Sequence, residues 1–189
     1  QSMANGQVSH NDLDAFFRDN FRRAFPDVKQ YQLNQAPLLS ILAAYPGVLP
    51  SSLAAAISGE TEDKWLTKLQ PLFGALLIKE GNGYKPFHRE LTAWLQSVGR
   101  SHPYAVGPDG RQKIVEYFLG LLQSANWPDV PGEQRHLILS RLPVLLKQSS
   151  FWNDFGALIE VAKRLHKNYQ YQEEHLVVMR LLELAERNT

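Results

Sequence analysis

The chain has 189 residues, 20 Lys+Arg against 19 Asp+Glu, and no cysteine. That length supports one largish domain or two small ones, and 44% hydrophobic with 21% charged residues excludes a disordered chain. Lack of cysteine excludes disulfides and thiolate zinc sites, no apolar run reaches the roughly 18 residues of a membrane span, and a net charge of +1 withholds the basic excess of a typical nucleic-acid protein.

Gln1-Ser2-Met3 reads as the remnant of a cleaved affinity tag, and the stretch to His10 as a flexible N-terminus without a signal pattern. Asn11-Asp12 followed by Leu13, Phe16, Phe17 and Phe21 predicts a capped helix ending near Phe25-Pro26-Asp27. Ala36-Pro37 opens a second helix, with Leu38, Leu39, Ile41 and Leu42 as its buried stripe and Tyr45-Pro46-Gly47 as its stop. Pro50-Ser51-Ser52 starts a short helix, Leu53 to Ile57, closed by Ser58-Gly59. Thr61 caps the next, with Glu62 and Asp63 in its first turn, Trp65, Leu66, Leu69, Leu72 and Phe73 on one face, and Pro71 as a kink or end.

The period then changes. Ala75 to Lys79 is a short apolar run, Glu80-Gly81-Asn82-Gly83 is turn chemistry, and Tyr84-Lys85-Pro86-Phe87 returns as a second strand. Pro86 cannot donate to a ladder, which predicts an edge position. A closing helix carries Leu91, Trp94, Leu95 and Val98. Three short helices, a hairpin and a helix form the order of a winged-helix domain. Residues 99–110, rich in Gly and Pro, read as a linker. Beyond it lie four helices: Arg111 to Gln123, Glu133 to Gln148, Phe151 to Lys167 and Tyr171 to Arg187. The expected fold is therefore mainly α: a leading helix and winged helix over 11–98, then an α-helical array over 111–189.

Catalytic patterns are missing. No phosphate loop, GxSxG elbow, HExxH or dinucleotide fingerprint occurs. His10, His88, His102, His136, His166 and His175 form no i, i+4 pair, so no metal spacing is present. Glu173-Glu174-His175 reads as the solvated first turn of the last helix. DNA binding would need a basic reading helix, yet Glu60, Glu62 and Asp63 outnumber Lys64 and Lys68. The balance holds in both halves, with ten basic and nine acidic residues over 1–100 and ten of each over 101–189.

Pro37-Leu38-Leu39-Ser40-Ile41-Leu42, Val48-Leu49-Pro50, Leu66 to Leu77 and Phe87-His88-Arg89-Glu90-Leu91-Thr92-Ala93-Trp94-Leu95 together resemble a known segment. It is the winged helix that follows the nucleotide-binding domain in signal-transduction NTPases of the STAND class, the NACHT and apoptosome-like proteins. Leu13 to Asp27 is similar to the helix that family places before it, and Arg135 to Leu146 to the helices before its sensor repeats. The resemblance implies a non-enzymatic, cytoplasmic regulatory fragment whose partners are an NTPase domain, a sensor region and other proteins. It implies no cofactor in the fragment itself, with ATP or ADP in a full-length parent. His88 matches the histidine that reaches the ADP β-phosphate in that family; the motif's serine is Glu90 here and its acidic position is Ala93. The alternative is a winged-helix DNA-binding regulator with a helical dimerisation domain, using Lys64, Lys68, Lys79 and Lys85.

Overall fold

The computed structural model describes residues 10–97, 102–124, 129–147, 149–167 and 171–186. Among them stand ten α-helices and one three-stranded antiparallel sheet. None of these helices is long and apolar enough to cross a membrane. The chain divides into two units, Gln1–Gly110 and Arg111–Thr189. The tag remnant expected over 1–10 lies outside the described residues up to residue 9, as do Val98, residues 99–101, Trp127-Pro128, Gln148, Asn168-Tyr169 and Arg187.

Helix α1 (His10–Ala24) starts one residue before the expected Asn11 cap, with Asp12 in its first turn. Phe17 and Phe21, one helical turn apart, are fully buried, and Phe25 follows them inward. Asp27 then caps α2 (Val28–Asn34), accepting from the Gln30 N–H at 3.0 Å. Sequence periodicity does not announce α2, because Tyr31 is its only buried residue. Helix α3 (Ala36–Ala44) is the opposite case, apolar and buried from Leu38 to Ala44. It ends at extended Tyr45, where the following Pro46 disfavours helical backbone.

Strand β1 (Leu49–Pro50) leads into α4 (Ser51–Ser58), which closes on left-handed Gly59 at φ 70°. Thr61 caps α5 (Glu62–Leu69), and Pro71 ends it in a 3-10 turn, Gln70–Leu72. Strands β2 (Leu77–Glu80) and β3 (Gly83–Pro86) form the hairpin, turning at Gly81 with φ 59°. Helix α6 (Arg89–Leu95) closes the segment and buries Leu91, Trp94 and Leu95.

Two strand expectations need correction. The first strand begins at Leu77, two residues later than the apolar run suggests, since Ala75 is exposed. The second is not an edge: sheet order is β1-β3-β2, with Leu49 opposite Tyr84 and Pro50 opposite Gly83. β1 has only two residues and stops short of Pro86, so the missing proline N–H faces no partner strand there. Ser51 locks this corner, its N–H donating to the Asn82 carbonyl at 3.1 Å and its hydroxyl to the Glu62 carboxylate.

The linker expectation also changes over its described part. His102, Tyr104 and Val106 are buried in the first unit, and the Val106 N–H donates to the Leu95 carbonyl at 2.8 Å. Tyr31 and Tyr104 cross-tie it: the Tyr31 hydroxyl donates to the Tyr104 carbonyl at 2.8 Å, and the Tyr104 hydroxyl to the Phe25 carbonyl at 3.2 Å. Burial pushes the Tyr31 hydroxyl pKa far up, so it stays a donor at any physiological pH.

Helix α7 (Asp109–Gln123) begins within the first unit and continues into the second. The second unit also contains α8 (Gly132–Leu146), α9 (Phe155–Lys167) and α10 (Tyr171–Glu186). Phe151, expected in α9, belongs instead to a 3-10 turn, Ser150–Asn153. Asp154 accounts for the break, its carboxylate accepting the Ala157 N–H at 3.0 Å at the start of α9. Leu158, Val161 and Leu165 of α9 and Val177 of α10 are fully buried. Arg180 ties α10 to the turn, donating to the Trp152 carbonyl at 3.2 Å and to Asn153 Oδ1 at 2.6 Å.

β1 approaches the hairpin so closely that a Cβ on Gly83 would meet Val48 Cγ1 at 2.6 Å and the Leu49 carbonyl oxygen at 2.7 Å. Gly83→Ala should therefore destabilise the first unit by about 2 kcal/mol, as overpacking does. Gly81→Ala, strained but in open space, should cost about 1 kcal/mol. Urea unfolding of the two variants checks that order.

Candidate functional site

His88 stands between β3 and α6 and is the N-cap of that helix. Its backbone is extended, and its Nδ1 accepts the Glu90 N–H at 3.2 Å. A histidine can cap in this way only when Nδ1 carries no proton, so the neutral ring holds its hydrogen on Nε2. The side chain is exposed, so that Nε2–H is a donor facing solvent. Phe87, beside it, meets the exposed ring of Phe16 edge-on at 6.2 Å and the buried ring of Phe17 at 6.3 Å.

Behind this corner α1 and α6 enclose a cleft of about 210 Å³. Leu13, Asp14 and Phe17 line it from α1; Glu90, Ala93 and Trp94 line it from α6, with Ser97 just beyond. Its fixed point is the Trp94 indole, whose Nε1–H donates to Asp14 Oδ1 at 2.7 Å. One indole face stacks on His102 at 3.9 Å and 14°. His102 Nε2 lies 2.8 Å from the Trp94 carbonyl, and its buried Nδ1 has no hydrogen-bond partner. The hydrogen bond from Trp94, helped by the Arg18 charge, holds the Asp14 carboxyl below its ordinary pKa despite partial burial.

Sequence reasoning singled out His88 alone for this region. Trp94 enters it only as a helix-stripe residue, and Asp14 and His102 carry no functional expectation. Trp94 and Asp14 are 80 positions apart, a separation at which no spacing rule operates. His136, His166 and His175 are exposed, and no group of three metal-ligating side chains occurs among the described residues. The four lysines that DNA binding would need are split: Lys68 is paired with Glu60 and Lys85 with Glu80. In the second unit, Ile159, Ala162, Lys163, His166 and Leu181 border an open groove without a catalytic set.

No protein-family model matches the chain, and neither the curated proteins nor the solved structures give a match.

Two outcomes follow from this geometry. A carboxyl with a depressed folded-state pKa stabilises the fold above its ordinary value of 3.8 and loses that contribution as the pH falls through the lower, folded value. Asp14→Asn should thus be less stable than the parent sequence at pH 7, and the gap should close as the pH falls below the ordinary value of 3.8. Thermal melts across that range measure it. At the cap, His88→Ala should lower stability by about 1 kcal/mol, whereas His88→Asn, itself a capping residue, should leave it near the original. Denaturant midpoints of the two variants distinguish capping from any other role of the ring.

Proposed function

We propose that the chain is a non-catalytic regulatory and interaction fragment of a STAND-class signalling ATPase. Residues 36–97 form its winged helix, and the C-terminal helices connect to a sensor region. The observation that carries the reading is the position of His88. It stands just past β3, with Phe87 between them, caps α6 through Nδ1 and leaves Nε2–H as a donor on an exposed side chain. A phosphate oxygen is a fitting acceptor for that group.

Further support comes from the order α3, β1, α4, α5, hairpin, α6, in which a short strand between the first two helices completes the sheet. Glu90, which replaces the family's serine, lines the cleft behind the histidine. Its carboxylate lies 3.4 Å from the Arg89 guanidinium, which offsets its charge beside the histidine. In the cytoplasm the winged helix would pack on the NTPase domain and register ADP against ATP, passing that state to the sensor through the helices. The DNA-binding alternative loses support from the Lys68 and Lys85 ion pairs, which neutralise half of its proposed phosphate contacts.

The reading predicts an upstream Gly-x-x-x-x-Gly-Lys phosphate loop in the reading frame that encodes the chain. It also predicts that the 189-residue chain alone neither turns over ATP nor retains ADP in equilibrium dialysis. A frame without that loop, or turnover by the isolated chain, would overturn it.

A further inference from the structure

The α1–α6 cleft has a chemical bias that the nucleotide reading does not use. Its charged lining is Asp14 and Glu90, with no basic residue among the side chains around it. The other polar groups have their donors engaged: Trp94 Nε1–H donates to Asp14, and the Ser97 hydroxyl donates to the Trp94 carbonyl at 2.8 Å. The cleft therefore sets the carboxylate residues Asp14 and Glu90 beside the apolar side chains of Leu13, Phe17 and Ala93. An anion or a carbonyl group finds no donor there. A cation with an alkyl stem finds both its requirements.

The nearby arginines do not fill it. Arg18 pairs with Asp14 Oδ2 from a side chain 51% exposed, and Arg89 reaches Glu90 at 3.4 Å from one 90% exposed. Neither lines the cleft, and pairs of this exposure contribute little. Each carboxylate keeps lone pairs for a second donor. Beside the cleft, Phe16 and Phe87 are 44% and 37% exposed, an aromatic pair in contact with Phe17. A free amine would leave that pair bare, whereas a polypeptide can cover it while inserting one side chain.

We propose that the cleft between α1 and α6 seats the basic end of an arginine or lysine side chain presented by a partner polypeptide, with Phe16 and Phe87 packing against its neighbouring residues. Glu90 and Ala93 supply the charge and the room. The site depends only on the α1–α6 geometry and stands or falls separately from the nucleotide reading.

The test uses the full 189-residue chain, labelled with ¹⁵N, and follows the Trp94 indole N–H during titration with the peptide acetyl-Leu-Arg-Leu-amide. The expected result is a saturable shift that the norleucine analogue of the peptide does not produce. Glu90→Gln should weaken binding about five-fold, the scale of one partly exposed charge pair. Ala93→Leu, which fills the cleft with a good helix former, should abolish it. Both variants should keep the thermal midpoint and the remaining spectrum of the parent sequence. No saturable shift, an equal shift from the norleucine peptide, or unchanged binding in both variants would overturn the proposal. Binding of n-butylguanidinium as tight as that of the peptide would also overturn it, because the ligand would then be a free cation.

Discussion

Trp94 is the joint on which the first unit depends. Its indole donates to Asp14 of α1 at 2.7 Å, stacks on His102 at 3.9 Å, and lies against Phe17 and Phe21 at 5.6 and 5.1 Å. Three distant stretches of chain meet on that ring: the first helix, the closing helix and the segment after it. A large aromatic buried with its single donor satisfied contributes both area and direction, since losing the acceptor strands a buried N–H. Tyr31 and Tyr104 extend the same cluster, and their hydroxyls bind α2 and the turn at Phe25 to the segment after α6.

The His88 corner inherits its geometry from this joint. Because Trp94 fixes α6 against α1, the N-terminus of α6 has one position, and His88 caps it at the point where β3 ends. Capping selects the tautomer, and the tautomer leaves the outward nitrogen as a donor. The cleft behind the corner is bounded by the same two helices, so the exposed donor and the acceptor-lined pocket are two sides of one helix–helix contact. One side carries the His88 ring, the other Asp14 and Glu90. The near-neutral net charge of +1 therefore conceals a local separation of roles.

Much of this arrangement was legible in the residues. Pro37 at the start of α3, Thr61 before α5 and Gly59 after α4 do what local backbone chemistry requires, so those helix ends follow from the sequence alone. Gly81-Asn82 likewise identifies the hairpin turn. What was not legible depends on tertiary contact. Leu49-Pro50 is too short to show a period, and it becomes a strand only because Tyr84 and Gly83 lie beside it. His102-Pro103-Tyr104 has the composition of a linker, yet His102 is buried against Trp94 of the preceding helix and Tyr104 against Phe21 of α1 and Tyr31 of α2. Asp14 looks like any solvated helix carboxylate until Trp94, 80 residues later, donates to it.

The central claim is that the His88 corner faces a nucleotide-bearing domain and responds to its phosphate. Hydrogen–deuterium exchange on the chain together with the NTPase domain proposed for it, with ADP and without nucleotide, measures this directly. The account predicts that ADP slows exchange at the amides of Arg89, Glu90 and Leu91, the first turn of α6, because a fixed His88 ring stabilises its own cap. Equal exchange at those amides in the two states would contradict it.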